Sequence, residues 1–264
     1  MYERVVVPYD GSQRSLAALD PGQRLARAWR CELEVVHVAG AGEPGPSTTE
    51  VGRQVRLITG DDPARTLIGA VSDPSQLLCM ATRGRGALGK VLFGSVTAAV
   101  LRGLHAPLVV AGPQLLAPVT PDALRRLLVC LDGSTMSATI LPVARQWAEE
   151  LDLAVRLVHV AYPPGDPLGG PTSLPEETRA ATAEVERTAA DLVDAGIDAD
   201  WRVVEDTDTA TGIVRHAAHR SVDLIAMTTH GRTGLDRVLI GSVTTDVVRR
   251  APVPVLTLRP ERLG

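Results

Sequence analysis

The chain has 264 residues, a length that suits two domains of ordinary size or one large domain. Its content of 45% hydrophobic and 22% charged residues is typical of a globular protein. The net charge of −4 and the 3% of aromatic residues give no support to a nucleic-acid partner or to an anionic membrane surface.

The N-terminal stretch MYERVVVPYDGS lacks the charged and then apolar pattern of a signal peptide. No apolar run approaches the roughly 18 residues that a membrane helix needs. The three cysteines, Cys31, Cys79 and Cys130, have no CxxC spacing, so we expect free thiols rather than a disulfide framework or a zinc site. These features predict a soluble cytoplasmic protein that has no membrane partner.

The first part of the chain alternates between strand-like and helix-like segments. The strand-like segments are continuous apolar runs, which are typical of parallel strands that are covered on both faces. The interval 40–52 between the second and third runs has too many glycines and prolines for a helix, so we expect this crossover to lack one and the sheet to be less covered there. The predicted strands are 4–8, 33–38, 54–58, 76–80 and 107–111.

The second part repeats the first. Residues 127–141 align with 5–19 at an offset of 122, and the offset becomes 147 after the second half gains 25 residues between its second and third strands. The added residues begin with the capping-box pattern Ser173 to Glu176 and predict an amphipathic helix that ends at Gly196. The matching strands are 127–131, 154–160, 201–205, 222–227 and 253–258.

The repeat predicts two tandem domains, half one (1–112) and half two (125–264), joined by a proline-rich linker at 113–124. The predicted fold class is α/β, with two open, mostly parallel, doubly wound sheets of five strands and helices on both faces. In such sheets a ligand binds outside the carboxyl ends of the strands, where the strand order reverses.

The loop after the fourth strand has the same unusual pattern in both halves. ATRGRGALGKVLFGSV (81–96) and TTHGRTGLDRVLIGSV (228–243) are identical at 9 of 16 positions, and each has a glycine, nine residues and then Gly-Ser. Glycine lets backbone approach a ligand closely and makes positive φ available, and a helix that opens at Gly-Ser presents free N–H groups to an anion. The pattern predicts a phosphate-binding loop that is not the Walker loop; the alternative is a turn that only covers the sheet edge.

A strand that ends in Asp-Gly-Ser, followed by VHV, the G-x9-G-S loop and a terminal strand after Ala-Pro, resembles the universal stress protein family. Both halves carry the full set, so the chain resembles the tandem two-domain members. The resemblance implies the strand order 3-2-1-4-5 and, in the nucleotide-binding members, ATP or AMP at the point where this order reverses. It also implies that final strands pair edge to edge, which the two halves can do inside one chain; a homodimer is the alternative.

The resemblance assigns Asp10 and Asp132 to the adenine or the ribose, the two valines of the second strands to the base, and the Gly-Ser elements to the phosphates. A Mg²⁺ ion would be held through the phosphates near Ser95 and Ser242, and not by protein ligands alone. The candidate nucleotide-binding residues are Asp10, Val38, Arg83, Gly84, Gly94, Ser95 and Val96 in half one, and Asp132, Val160, His230, Gly231, Gly241, Ser242 and Val243 in half two.

One departure concerns the first glycine of the family signature G-x2-G-x9-G-[S/T]. Ala81 and Thr228 stand in its place. Both are small, but a β-branched threonine resists positive φ. This departure favours the alternative of a protein that binds no nucleotide.

Three further sets of polar residues have simpler interpretations. His37 and His159 lie inside apolar strands and are interpreted as core histidines, and Asp10 and Asp132 are also suited to cap a turn. His230 suggests a general base, but its counterpart in half one is an arginine, which excludes a base common to both halves. The segment 205–208 (EDTD) is interpreted as a helix cap rather than a metal site.

The sequence favours an adenine-nucleotide-binding regulatory protein of the stress response, with an unidentified protein partner and no or only slow ATP hydrolysis. No nucleophile, base and orienting group converge, so we predict no catalytic residues. One alternative is a nucleotide-free interaction scaffold. The other is an enzyme of the ATP pyrophosphatase type, whose Ser-Gly-Gly-x-Asp-Ser loop is replaced here by Pro-Tyr-Asp-Gly-Ser.

Overall fold

The computed structural model describes residues 1–42, 45, 51–82, 93–116, 123–163, 175–230 and 240–260. The elements of half one are β1 (Arg4–Pro8), α1 (Leu19–Trp29), β2 (Glu32–Ala39), β3 (Val55–Thr59), α2 (Pro63–Ala70), β4 (Gln76–Ala81), α3 (Ser95–Gly103) and β5 (Leu108–Ala111). The elements of half two are β6 (Arg126–Cys130), α4 (Thr135–Ala138), α5 (Leu141–Leu151), β7 (Ala154–Ala161), α6 (Pro175–Asp194), β8 (Ala199–Glu205), α7 (Thr209–His219), β9 (Leu224–Thr228), α8 (Ser242–Arg250) and β10 (Val255–Leu258).

All ten strands form one continuous sheet in the order β3-β2-β1-β4-β5-β10-β9-β6-β7-β8. Each half therefore has the expected order 3-2-1-4-5, and the α/β fold class is confirmed. The two predicted five-stranded sheets are joined into one, because β5 and β10 pair antiparallel, with Val110 opposite Val255, which is the edge-to-edge pairing inside one chain that the resemblance implies. Since strands are parallel within each half, this pairing places the carboxyl ends of the two halves at opposite edges of the sheet.

Alternate residues of each strand face two hydrophobic layers, as continuous apolar strands require. Val5 and Val7 of β1 belong to the layer that contains residues of α1, α5 and α6, whereas Val6 belongs to the layer of α2, α3, α7 and α8. The sheet is therefore covered by helices on both faces, as the sequence predicted.

Three aromatic side chains join the halves on one face of the sheet, at a contact that we call the aromatic seam: Tyr2, Trp29 and Trp147. The rings of Trp29 in α1 and Trp147 in α5 meet edge to face with centroids 4.6 Å apart, and Tyr2 packs 4.8 Å from Trp29. The Trp29 indole N–H donates to a carboxylate oxygen of Glu150, 2.8 Å away. Burial raises the pKa of Tyr2 to about 12.

The crossover between β2 and β3 differs between the halves. In half two α6 spans 20 residues, where the capping box predicted a helix. In half one, residues 40–42, 45 and 51–54 form no helix, and residues 43, 44 and 46–50 lie outside the described part. Beside this crossover of half one, Val51 packs with Tyr9 and Val35, whereas Leu57 of β3 is 54% exposed.

Cys79 and Cys130 are buried free thiols, as expected, and Cys31 is a half-exposed one. Burial raises the pKa of the Cys130 thiol well above its usual range. No helix in the described ranges is long and apolar enough to cross a membrane. Of the predicted linker, residues 117–122 lie outside the described part.

We predict that the aromatic seam contributes strongly to stability. Trp147 is 0% exposed, so Trp147→Ala should lower the free energy of unfolding by about 3–5 kcal/mol through lost burial and a cavity. Trp201→Ala is the matched control, because Trp201 of β8 is only half-buried. Urea unfolding followed by circular dichroism measures both losses, and a smaller loss for Trp147→Ala than for Trp201→Ala would contradict the prediction.

Candidate functional site

The turn that follows β6 is built by the side chain of Asp132. Its Oδ1 accepts hydrogen bonds from the Ser134 backbone N–H at 3.0 Å and from the Ser134 hydroxyl at 2.6 Å. Ser134 Oγ in turn accepts from the Ser137 N–H at 3.1 Å and caps α4. Gly133 between them has φ 78°, a left-handed conformation that strongly favours glycine.

Half one has the same turn after β1. Asp10 Oδ1 accepts from the Ser12 N–H at 3.0 Å and from the Ser12 hydroxyl at 2.6 Å, and Gly11 has φ 83°. Both aspartates therefore have the turn-forming role that the sequence left open. The turn holds each carboxylate at the carboxyl ends of the parallel strands of its half.

Helix α8 begins at Ser242, with Gly241 as its N-cap residue and no side chain bonded to its first-turn N–H groups among the described residues. The Gly241 N–H donates to the Thr229 carbonyl at 2.8 Å. A Cβ at Gly241 would lie 2.9 Å from that same carbonyl oxygen, so a side chain does not fit without a shift. As far as the described residues show, the helix therefore starts with N–H groups that no side chain caps, close to the end of β9.

Positive φ is not the reason for this glycine, contrary to the expectation. Gly241 has φ −55°, and its counterpart Gly94, which precedes α3, has φ −63°. The Gly94 N–H also donates to a carbonyl, that of Thr82, at 2.8 Å. In half two, the glycine is required because Gly241 lies so close to the Thr229 carbonyl. Gly94 in half one makes the equivalent hydrogen bond to the Thr82 carbonyl.

Ala81 and Thr228, which replace the first glycine of the family signature, are the last residues of β4 and β9. Neither has a positive φ, so the expected conflict between a β-branched residue and this position does not arise. The Thr228 hydroxyl donates to the His230 carbonyl at 2.6 Å. Its backbone carbonyl accepts from the Thr244 hydroxyl at 2.9 Å, which ties the end of β9 to α8.

The described residues of half two surround a cleft of about 370 Å³ at the carboxyl edge of the sheet. The Asp-Gly-Ser turn, the end of β7 and the N-terminus of α8 meet there. Its apolar wall includes Val160, Ile213 and Met227. The predicted residues that line it are Asp132, Val160, His230, Gly241, Ser242 and Val243.

In half one, the structure places the corresponding candidates on equivalent elements. Asp10 follows β1, Val38 lies in β2 opposite Ile58, and Ser95 is the first residue of α3. Gly94 and Val96 flank this serine. Arg83, Gly84 and Gly231 lie outside the described residues.

Of the two histidines interpreted as core residues, His159 is buried and also lines the cleft, whereas His37 is only half-buried. His159 Nδ1 lies 3.1 Å from the Leu131 carbonyl oxygen, and His37 Nδ1 lies 2.7 Å from that of Tyr9. His230 lies at the cleft with Nδ1 3.0 Å from the Thr229 hydroxyl. Among the described residues, no group of three or more histidine, cysteine or acidic side chains is arranged to hold a metal ion.

Sequence reasoning missed Tyr162 and Thr209, which also line the cleft. Thr209 opens α7, and Asp208 caps that helix by accepting from the Thr211 N–H at 2.6 Å, so the interpretation of 205–208 as a cap is confirmed. The hydrogen bond from the Thr211 hydroxyl and the nearby Arg250 guanidinium hold the pKa of Asp208 below its usual range. The signal available in the sequence was Tyr162 itself, which replaces Gly40 of half one directly after the VHVA motif.

We predict that Gly241→Ala is destabilising, because the added Cβ must push the Thr229 carbonyl and α8 apart. The expected loss is about 1–3 kcal/mol, the usual cost of overpacking. Gly69→Ala is the matched control: a Cβ there meets nothing within 4 Å, and alanine favours a helix, so a gain of about 0.4–1 kcal/mol is expected. Thermal unfolding measures the stability of the two variants. A Gly241→Ala protein as stable as the unmodified chain would mean that the close approach of Gly241 to the Thr229 carbonyl is not a constraint.

The model of the universal stress protein family matches residues 1–57, 47–112 and 123–259. A universal stress protein of Mycobacterium bovis is 29% identical over an alignment 298 positions long, which covers 97% of this chain and 96% of that protein. One from Mycolicibacterium smegmatis is 32% identical over 201 residues, 75% of this chain and 66% of that protein. A universal stress protein from Archaeoglobus fulgidus has a similar solved structure, with a TM-score of 0.67, 19% identity and coverage of 98% of this chain and 99% of that chain. The chain therefore belongs to the universal stress protein family, as a tandem member with two copies of the domain.

Proposed function

We propose that the cleft of half two binds an adenine nucleotide, ATP or AMP, and that the protein is a regulator of the stress response. The observation that carries the proposal is the N-terminus of α8, which no side chain in the described part of the chain caps and which Gly241 brings against the end of β9 at one end of the cleft. A cleft of about 370 Å³ lies within the usual size range of ligand sites, about 300–1,000 Å³.

The phosphates would bind at the start of α8. The N–H groups of Ser242, Val243 and Thr244 belong to the first turn, and the positive end of the helix dipole favours an anion there. The exposed Ser242 hydroxyl adds a donor to phosphate or a ligand to a phosphate-bound Mg²⁺. Mg²⁺ is generally held by few protein groups together with phosphate oxygens, so the phosphates would supply most of its ligands here.

The base and the ribose would occupy the rest of the cleft. Val160, Ile213 and Met227 offer an apolar surface to the purine, and Asp132 supplies acceptor oxygens to sugar hydroxyls or to the base amino group. The choice of adenine rests on the family resemblance. In half one, Asp10, Val38 and the Gly94-Ser95 helix start would supply the same parts.

A regulatory role fits better than an enzymatic one. The Cys130 thiol lines the cleft, but burial raises its pKa and keeps it protonated, so it is a poor nucleophile. His230 contacts Thr229 through Nδ1 and has no histidine counterpart in half one. We infer that any hydrolysis of ATP is slow, and that the nucleotide acts by changing which protein partner is bound.

The scaffold without nucleotide is the weaker proposal. Its support was the absent first glycine, and that position is an ordinary strand residue in both halves. We further propose that 1–112 and 125–264 are the two domains, that they act as an internal pair through β5 and β10, and that the protein is cytoplasmic. Under this proposal a homodimer needs other surfaces, since the final strands are already paired.

A direct test is to denature the purified protein and identify the nucleotides that are released. We expect ATP, ADP or AMP in near-stoichiometric amount, or, for a protein purified empty, thermal stabilisation by added ATP, because a ligand that binds only the folded state raises stability. A protein that is empty and is not stabilised by ATP would contradict the proposal.

The position of the phosphates is tested by Ser242→Glu. A carboxylate at the first position of α8 suits the helix dipole, so the fold is retained, but it should repel phosphate and weaken ATP binding by about tenfold or more. Ser95→Glu makes the same change at the start of α3, where Ser95 is also exposed, and reports on half one. Isothermal titration calorimetry compares them, and unchanged binding of ATP to both variants would mean that the phosphates lie elsewhere.

A further inference from the structure

Two hydroxyl side chains face each other at the rim of the half-two cleft. Tyr162 directly follows β7, two residues beyond Val160, and Thr209 is the first residue of α7. Both line the cleft, and the Tyr162 phenol oxygen lies 3.2 Å from the Thr209 hydroxyl oxygen. This contact fixes an aromatic ring beside the apolar wall of the cleft.

The position of Thr209 at the start of α7 is fixed by the contacts of its neighbour in the chain, Asp208. Asp208 accepts from the Thr211 hydroxyl at 2.6 Å and from Arg250 Nη1 at 3.0 Å. Arg250 is the last residue of α8 and also lies 3.2 Å from the Asp246 carboxylate in the same helix. The start of α7, and with it the partner of Tyr162, is therefore tied to the helix whose N-terminus would hold the phosphates.

Half one lacks counterparts of Tyr162, Thr209 and Arg250. The offsets of 122 and 147 put Gly40 at the position of Tyr162 and Gly103 at that of Arg250, and matching the helix caps Asp62 and Asp208 puts Pro63 at the position of Thr209. Asp62 still caps α2 by accepting from the Ala64 N–H at 3.0 Å. The helix cap is thus common to both halves, whereas the ring and its hydroxyl partner are particular to half two.

We propose that Tyr162 is a base-contacting residue that makes half two the tighter of the two nucleotide sites. In this proposal the ring packs against the purine opposite Val160 and Ile213, and Thr209 restrains the ring. An aromatic side chain brings a large apolar face at little entropic cost, because it has only two side-chain torsions. The proposal rests on the proposed nucleotide site and adds to it a determinant of base recognition and of unequal occupancy.

The proposal separates recognition of the base from recognition of the phosphates. Removing the ring should weaken ATP, which has a base, and should leave inorganic tripolyphosphate, which has none, nearly unaffected. The stacking of an aromatic ring on a base corresponds to a change in affinity of about five- to 150-fold. Half one, which has Gly40 at this position, should bind ATP more weakly by a comparable factor.

The test uses the full chain and isothermal titration calorimetry, with tripolyphosphate measured directly and in competition with ATP. Tyr162→Gly copies half one and should weaken ATP at least about tenfold while tripolyphosphate changes less than about twofold. Tyr162→Phe keeps the ring and loses only the Thr209 contact, so its ATP affinity should lie between that of the unmodified chain and that of Tyr162→Gly. Gly40→Ala is the control in half one and should change neither ligand.

Each outcome bears on a different claim. Equal losses of ATP and tripolyphosphate in Tyr162→Gly would show a structural role and overturn the inference, as would ATP affinity that does not change. Two equal ATP sites per unmodified chain would overturn the unequal halves. An unmodified chain that binds no ATP would contradict the proposed function itself, and the inference with it.

Discussion

The close approach of Gly241 to the Thr229 carbonyl is the constraint on which the candidate site depends. A Cβ at this position would meet that oxygen at 2.9 Å, so glycine is what allows the start of α8 to lie against the backbone that follows β9. Because glycine has no side chain to cap the helix, no side chain of the described residues bonds the first N–H groups of α8 at the carboxyl ends of the strands. The close packing of α8 against the end of β9 and the proposed phosphate-binding helix start thus depend on the same residue.

The antiparallel pairing of β5 with β10 explains how two copies of one domain make a single molecule. It covers an edge strand of each half, which would otherwise expose unpaired backbone groups, and the aromatic seam packs across the same junction. The pairing also separates the two candidate sites, because the carboxyl ends of the strands point in opposite directions in the two halves. The residues of one site can therefore differ from those of the other. Gly40 in half one and Tyr162 at the matching position of half two are such a difference.

The sequence predicted the fold well because its strongest signals were repeated. Continuous apolar strands, the two Asp-Gly-Ser turns and the capping box before α6 each reflect local physical chemistry, and the strand order came from the family resemblance. The physical reason for Gly241 could not be predicted, because contact with the Thr229 carbonyl depends on how α8 crosses the end of β9. For the same reason the concern about Thr228 was misplaced: its extended backbone is set by strand pairing with Leu258 and not by the loop pattern. Tyr162 and Thr209 were missed because they are 47 residues apart in the chain and meet only when β7 and α7 pack together.

The central claim is that the first turn of α8 binds the phosphates of an adenine nucleotide, and backbone-amide NMR of the full chain titrated with ATP tests it most directly. Hydrogen bonding to phosphate changes the environment of an amide proton, so the account predicts that the Ser242, Val243 and Thr244 amides shift the most, with smaller shifts around Asp132 and Val160. Shifts that are absent, or that concentrate at the aromatic seam while α8 is unchanged, would contradict it.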